Sequence, residues 1–231
     1  MAVIPSSAQA AYDRASAPRK LAAPRIAASL DALPLTTLED PDRGPLEAVE
    51  ARGLNATGAD FTELEVSGSR FSNCLFQACS FTGALFVDIA FEGCDFSNST
   101  FDSAAFTRCT FKDCKFAGAS FTEALWEHVV VEGCTFAYGA FNRCRWKVIR
   151  ACTCDFSSAD MSEMELRAIT LDDDRFTGTS FFRTKLTGLD LTSCQLKGIV
   201  VSDTMGEVFG AKLSLYQAAA LARRLGIIIE E

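Results

Sequence analysis

Residues 71–120 read FSNCL FQACS FTGAL FVDIA FEGCD FSNST FDSAA FTRCT FKDCK FAGAS, ten units of five residues that each begin with phenylalanine. The spacing extends in both directions, because every fifth residue from Ala56 to Val201 is apolar and 17 of the 19 phenylalanines occupy these positions. A period of five fits neither the 3.6-residue period of a helix nor the two-residue period of a flat strand. The pattern therefore indicates a repeat architecture.

The remaining positions of the unit show how the chain turns. If the apolar position is called i, the residue at i−2 is also small or apolar in most units, and nine of the 15 glycines fall at i+2. Two inward side chains two residues apart fit a short extended piece followed by a turn. Glycine permits turn angles that other residues resist, so i+2 is the predicted turn position. A chain that turns inward every five residues must wind around an axis.

The cysteines follow the same repeat. Nine of the ten, all except Cys152, occupy position i−2. We therefore interpret them as small core residues, with a metal site or disulfides as the alternative. The single histidine, His128, cannot build a metal site alone. Free buried thiols fit the reducing cytoplasm.

Units such as AD-FTE (59–63), CS-FTG (79–83), AS-FTE (119–123) and CD-FSS (154–158) resemble the pentapeptide repeat family. The resemblance implies an all-β solenoid, a right-handed quadrilateral β-helix with four units in each coil of 20 residues. The thirty units would then make about 7.5 coils, and at strand spacing the rod would be roughly 36 Å long. We predict this β-helix over residues 54–205.

Residues 1–53 lie outside the repeat and contain all six prolines of the chain, which oppose long regular elements. We predict a partly disordered arm, with a segment that folds along the rod or binds a partner as the alternative. Residues 206–231 are predicted to form a C-terminal helix and a β segment. Ser214 is the expected N-cap, Leu215 to Leu225 favours a helix, and Gly226 follows its end.

This C-terminal segment caps the last coil in one interpretation, and both caps the coil and dimerises in the other. The stretch from Lys212 to Ile229 resembles the tail of the Qnr-type quinolone-resistance proteins and of related immunity proteins. The resemblance implies a head-to-head homodimer whose rod imitates DNA, binds DNA gyrase or topoisomerase IV, and protects the enzyme from poisons. The predicted dimerisation residues are Leu213, Tyr216, Ala220, Leu221, Ile227, Ile228 and Ile229.

Surface charge is the second part of this hypothesis. The formal net charge is −8. Residues 20 positions apart share a face of the rod, and one face carries seven acidic residues against Arg143 and Arg183. We predict that this acidic face binds the partner; its acidic residues are Asp60, Glu63, Asp102, Glu123, Asp160, Glu163 and Asp203. Seven acids over roughly 36 Å are about threefold sparser than the charges of duplex DNA.

The sequence contains no enzyme signature, such as a Gly-rich phosphate loop or a zinc-binding HExxH motif. We therefore expect no catalytic residues, no metal, no cofactor and no direct nucleic-acid binding. No membrane span or signal peptide is expected, which favours the cytoplasm. The alternative function is a scaffold that binds another protein, with the N-terminal arm contributing.

One residue departs from the repeat. Asp174 stands at i−2, where a carboxylate would face the core at a large desolvation cost. We expect that the strand bulges there or that the side chain escapes to solvent.

Overall fold

The computed structural model describes residues 20–38, 40 and 44–230. Part of the predicted arm, residues 1–19, 39 and 41–43, lies outside the described residues. The described chain is a β-solenoid of about 7 turns with a short C-terminal helix, as the repeat predicts.

Twelve short strands build the solenoid. They are β1 (Asp31–Ala32), β2 (Leu46–Glu47), β3 (Val49–Arg52), β4 (Glu65–Ser67), β5 (Arg70–Ser72), β6 (Leu85–Val87), β7 (Ala90–Glu92), β8 (Ala105–Thr107), β9 (Thr110–Lys112), β10 (Leu125–Glu132), β11 (Arg145–Cys152) and β12 (Glu165–Asp172). The helices are α1 (Leu35–Leu38), a 3-10 turn (Gly206–Val208) and α2 (Leu215–Arg224).

The strands pair in parallel, and their register gives the length of a coil. Val66 pairs with Phe86, and Phe86 with Phe106, so each residue lies beside the residue 20 positions later. Pairing at this spacing runs from Leu46 with Val66 to Ser180 with Val200. It therefore already includes β2 and β3, ahead of residue 54.

Phenylalanine rings fill the axis of the rod. Rings one coil apart stack almost in parallel, as in Phe91 with Phe111, whose centroids are 4.9 Å apart at 2°. Phe116 and Phe136 stack in the same way at 4.8 Å. These distances match the spacing between strands, so the side-chain stack and the backbone ladder have the same rise. Each buried phenylalanine contributes roughly 1.5–3 kcal/mol.

The turns explain the glycines. All nine glycines at i+2 have a positive φ, which confirms the predicted turn position. Most of the other residues at i+2 share this left-handed conformation, including Tyr138 at 61° and Val148 at 59°. The coil imposes these angles, because an L-residue in this region costs roughly 1–2 kcal/mol.

The cysteines lie where the repeat predicts. All nine at i−2 are buried, and Cys152 is half-buried. Burial raises the pKa of the Cys109 thiol to about 12, and it also raises the pKa of Cys144. These thiols are therefore protonated and inert at neutral pH.

The expectation for Asp174 was wrong. The side chain neither escapes nor forces a break in the register, because Asp174 is 0% exposed and Cys152 pairs normally with Asp172 just before it. Its Oδ1 accepts the N–H of Cys154 at 2.8 Å, and its Oδ2 accepts the N–H of Asp172 at 3.1 Å. Ser99 and Thr184 hold the same place in other coils and accept N–H groups through their hydroxyls. At i−2, the N–H of the neighbouring coil can therefore bond to a carboxylate or to a hydroxyl.

Candidate functional site: the surface of the rod

The acidic face is present, but its carboxylates differ in environment. Three of them take part in the local hydrogen bonding of the turns. Asp60 Oδ1 accepts the N–H of Thr62 at 3.0 Å, and Asp160 Oδ2 accepts Asn142 Nδ2 at 2.7 Å. Asp102 Oδ1 accepts the N–H of Thr122 at 3.0 Å. These hydrogen bonds help to hold the coil in shape.

Two glutamates of the face are in ion pairs. Glu123 Oε1 lies 2.8 Å from the guanidinium of Arg143, and Glu163 Oε1 lies 3.1 Å from that of Arg183. Both pairs link residues one coil apart and are well exposed to solvent. Arginine therefore alternates with glutamate along the C-terminal half of the face.

The N-terminal half of the face is different, because Glu63 and Asp102 form no ion pair within the described residues. Glu63 and Asp60 are exposed, and Asp102 is half-buried. The glutamates of the face that pair with arginine therefore lie in its C-terminal half.

The predicted dimerisation residues divide into two groups. Tyr216 is 87% exposed, Ile228 is 89% exposed and Ile227 is 51% exposed, whereas Leu221 is 9% exposed and packs in the core of its own chain. Ala220 is exposed, and Leu213 and Ile229 are half-buried. Leu215, which was not predicted, is 81% exposed beside Tyr216. Ile227, Ile228 and Ile229 belong to no strand within the described chain.

Helix α2 closes the last coil. Ser214 accepts the N–H of Gln217 as its N-cap, and the Gln217 side chain accepts the N–H of Ser214, so the predicted start of the helix is confirmed. The same side chain donates through Nε2 to the carbonyls of Leu191 and Cys194, each at 2.7 Å. Arg224 donates to the carbonyl of Ile199. Side chains of the helix thereby satisfy carbonyls that the last coil would otherwise leave open.

The N-terminal segment is the feature that the sequence did not locate. We call residues 20–33 the strap. Its N–H groups bond to coils far away in sequence: Ala22 to His128 Nδ1 at 3.1 Å, Arg25 to Asp88 Oδ1 at 2.9 Å and Ala27 to the Gly68 carbonyl at 3.0 Å.

The partners of the strap occupy one column at i+2, so the strap runs lengthwise along one corner of the rod. Asp88 is also paired with Arg108 one coil later, at 2.6 Å from Oδ1 to Nε. This hydrogen bond to Arg108 holds the pKa of Asp88 below its ordinary value. The 20-residue spacing of Asp88 and Arg108 is the signal that could have predicted their contact.

Within residues 20–38, 40 and 44–230, no group of three or more His, Cys, Asp or Glu residues is arranged to hold a metal ion. None of the helices in this part of the chain has the length and apolar character needed to cross a membrane.

Known proteins resemble the chain mainly in structure. Two trypsin-treated variants of QnrB1, a plasmid-mediated fluoroquinolone resistance protein, are each 22% identical to it. One match covers 82% of this chain and 94% of that chain at a TM-score of 0.52, and the other covers 87% and 98% at 0.55. The pentapeptide repeat protein HetL, involved in heterocyst differentiation regulation in the cyanobacterium Nostoc, is 10% identical over 72% of this chain and 87% of that chain, at a TM-score of 0.40.

By sequence, the chain matches the family described as "Pentapeptide repeat region" over residues 84–151. A comparison with curated proteins gives no match. The match lies within the stretch of regular coils, and the solved structures cover the rod together with most of the chain. The protein therefore carries a pentapeptide repeat region and has the fold of the pentapeptide repeat proteins.

Proposed function

We propose that this protein is a non-enzymatic, dimeric rod that binds a bacterial type II topoisomerase, DNA gyrase or topoisomerase IV, in place of DNA. The bound enzyme would be protected from its poisons. The observation that carries the proposal is the likeness of the fold to QnrB1, a fluoroquinolone resistance protein, over 82–87% of this chain.

The surface supports recognition by charge. Glu63 and Asp102 form no ion pair within the described residues, whereas Arg143 and Arg183 pair with glutamates farther along the face. The charge density is well below the one charge per roughly 1.7 Å of duplex DNA. Shape therefore contributes most of the mimicry of DNA, and the acidic face adds a salt-sensitive contribution to binding.

The test of the function is a supercoiling assay with purified gyrase and a panel of poisons, including a fluoroquinolone and albicidin. We expect micromolar protein to restore supercoiling in the presence of at least one poison. If the protein neither rescued nor inhibited gyrase or topoisomerase IV at that concentration, the proposal would be abandoned. Deletion of residues 1–24, which leaves β1 to β3 in place, should leave rescue intact, whereas a scaffold that works through this part of the arm would lose its binding.

The role of the acidic face in binding can be tested with matched variants. Neutralising Asp60 and Glu63 (Asp60→Asn with Glu63→Gln) should weaken topoisomerase binding roughly fivefold at low salt, because two negative charges of the acidic face are lost. Glu92→Gln with Glu132→Gln removes two exposed charges from another face and serves as the control. Equal effects of the two pairs would show that only net charge matters.

The dimer is proposed to form through the exposed apolar residues of the C-terminal segment. Tyr216 and Ile228 are 87% and 89% exposed, and Leu215, which precedes Tyr216 in the helix, is 81% exposed, so these apolar side chains are open to a second copy. The rod would then double in length. We expect Tyr216→Asp with Ile228→Asp to give monomers by light scattering.

The control for the dimer is Tyr138→Asp, which introduces the same charge at a side chain that is 74% exposed on the rod. This variant should remain dimeric. Leu221 is unsuitable for such a test, because it packs in the core of its own chain. A dimer that survived both C-terminal substitutions would place the interface elsewhere.

The proposal also covers the compartment and the partners. The ten free thiols suit a cytoplasmic protein, which is where bacterial topoisomerases act on DNA. We expect no direct binding to nucleic acid, since the chain has a net charge of −8. A gel-shift assay with duplex DNA at low salt should show no complex.

A further inference from the structure

Within the described residues, the hydrogen bonds that attach the strap to the rod differ in their acceptors. Ala27 bonds to a backbone carbonyl, and Asp31 and Leu33 bond to the carbonyls of Ala48 and Glu50, each at 2.8 Å. Closer to the N-terminus the acceptors are side chains, Asp88 for Arg25 and His128 for Ala22. Residues 20–24 are therefore held by the hydrogen bond to one imidazole together with the packing of the half-buried Leu21, Ala22 and Pro24.

The hydrogen bond fixes the form of this imidazole. His128 Nδ1 accepts the N–H of Ala22 at 3.1 Å, so Nδ1 carries no proton and the neutral ring carries its hydrogen on Nε2. In the charged imidazolium both nitrogens are donors. Protonation would place one N–H against another, and the bond from Ala22 could not persist.

The surroundings of His128 contain several charged groups. Glu127 precedes it on β10, and Lys147, one coil later, is paired with Glu127. Arg108 lies one coil earlier in the same column and is paired with Asp88, while Val148 follows one coil later. On the strap itself, Lys20 and Arg25 are exposed. Glu127 and Arg108 each have an opposite charge beside them.

We propose that His128 is a pH-sensitive latch, whose neutral imidazole holds the strap on the corner of the rod and whose protonation releases residues 20–24. Histidine is the side chain that ordinarily changes its charge between pH 5 and 8. The Arg25 contact survives this change, because the pKa of Asp88 is lowered by Arg108. The strap thus opens from its N-terminal side only, and the segment from Ala27 to Leu33 remains paired.

Release would uncover the corner between His128 and Asp88. The strap passes from the coil of His128 to that of Asp88 within three residues, so it crosses the intervening coil, which carries Arg108. A partner or a second chain could reach this corner only after the strap has lifted. The latch therefore couples pH to the accessibility of one edge of the rod, on a different corner from Glu63 and Glu123.

Hydrogen exchange of the full chain, followed by mass spectrometry at pH 7.5 and pH 5.0, tests the latch. After correction for the intrinsic exchange rate, we expect the protection factor of the Ala22 amide to be roughly tenfold lower at pH 5.0 than at pH 7.5, because one hydrogen bond is lost. The amides of Ala27, Asp31 and Leu33 should keep their protection at both values. Equal protection of Ala22 at both pH values would overturn the proposal.

Two variants make the result specific to His128. His128→Asn keeps an acceptor at the position of Nδ1 without a titration in this range, so protection of Ala22 should become independent of pH. His128→Phe removes the acceptor, so Ala22 should be unprotected at both values. A pH response that persisted in His128→Asn would assign the effect to another group, for example Asp174, and would refute the latch.

Discussion

Replacing Asp174 with serine should make the protein more stable at neutral pH, although it removes one of the two hydrogen bonds that Asp174 accepts. Burial raises the pKa of Asp174 from 3.8 to about 6. A difference of about 2.2 pKa units corresponds to about 3 kcal/mol between the two protonation states. The charged carboxylate in the core therefore lowers the free energy of unfolding by about 3 kcal/mol.

The sign of the effect follows from proton binding. Between pH 4 and 6 the folded protein keeps a proton on Asp174 that the unfolded chain has released, so the free energy of unfolding falls as the pH rises. Below pH 4 both states are protonated and the contribution vanishes. Above pH 6 the full destabilisation of about 3 kcal/mol is present.

Serine supplies the oxygen without the charge, as Ser99 does when it accepts the N–H of Cys79 at 3.0 Å. The Asp172 N–H would lose its acceptor, which costs about 1 kcal/mol. Asp174→Ser should therefore gain about 2 kcal/mol at pH 8, or roughly 4–8 °C in Tm for a chain of this size, and should lose up to about 1 kcal/mol at pH 4, where only the cost of the missing hydrogen bond remains.

The assay is urea unfolding of wild type and Asp174→Ser from pH 4 to 8, and the readout is the difference in their free energies of unfolding at each pH. Asp173→Asn, which removes an exposed charge next to Asp174, is the control and should change stability by no more than about 0.5 kcal/mol. A difference between Asp174→Ser and wild type that did not change with pH would refute the reasoning.

Three further predictions concern the core, the turns and the cap. Trp126 buries an Nε1–H that has no acceptor among the described residues, so Trp126→Phe should stay within about 1 kcal/mol of wild type, whereas Trp126→Ala should lose about 3–5 kcal/mol in urea unfolding. Tyr138→Gly should raise the free energy of unfolding by about 0.5 kcal/mol, because φ at this position is 61°. Gly118→Ala should lower it by about 1–2 kcal/mol, because φ is 71° and the new Cβ would lie 2.6 Å from Asn98 Oδ1. Calorimetric Tm values compare each variant with wild type. Gln217→Met should lower stability by about 1–3 kcal/mol, since two carbonyls of the last coil lose their donor, and the circular-dichroism melt should shift down accordingly.

The solenoid could be predicted from the sequence because the spacing of phenylalanines indicates the repeat and its core, while the coil of 20 residues followed from the resemblance to the pentapeptide repeat family. The helix at residues 215–224 was predicted equally well, because Ser214 and Gly226 mark its ends by local chemistry. Asp174 was predicted wrongly because desolvation was weighed without the inward N–H of Cys154, which belongs to the neighbouring coil.

The surface was harder to predict, because periodicity fixes which residues share a face but not what each side chain contacts. Asp160 and Glu163 counted equally as charges, yet one bonds within a turn and the other pairs with Arg183. The strap gave no periodic signal, since its contacts come from single N–H groups such as that of Ala22. Tertiary contacts of this kind are not encoded in any local pattern of the strap.

Parallel strands stacked at about 4.8 Å are also the repeat of amyloid fibrils, so a rod of this kind has the geometry of a growing fibre. Its growth stops where the last coil meets Gln217 and Arg224, because side-chain donors occupy carbonyls that a further strand would use. Helix α2 thus prevents a further strand from pairing with the last coil, in addition to its proposed part in dimer formation. The length of the rod is set by this helix as much as by the number of repeats.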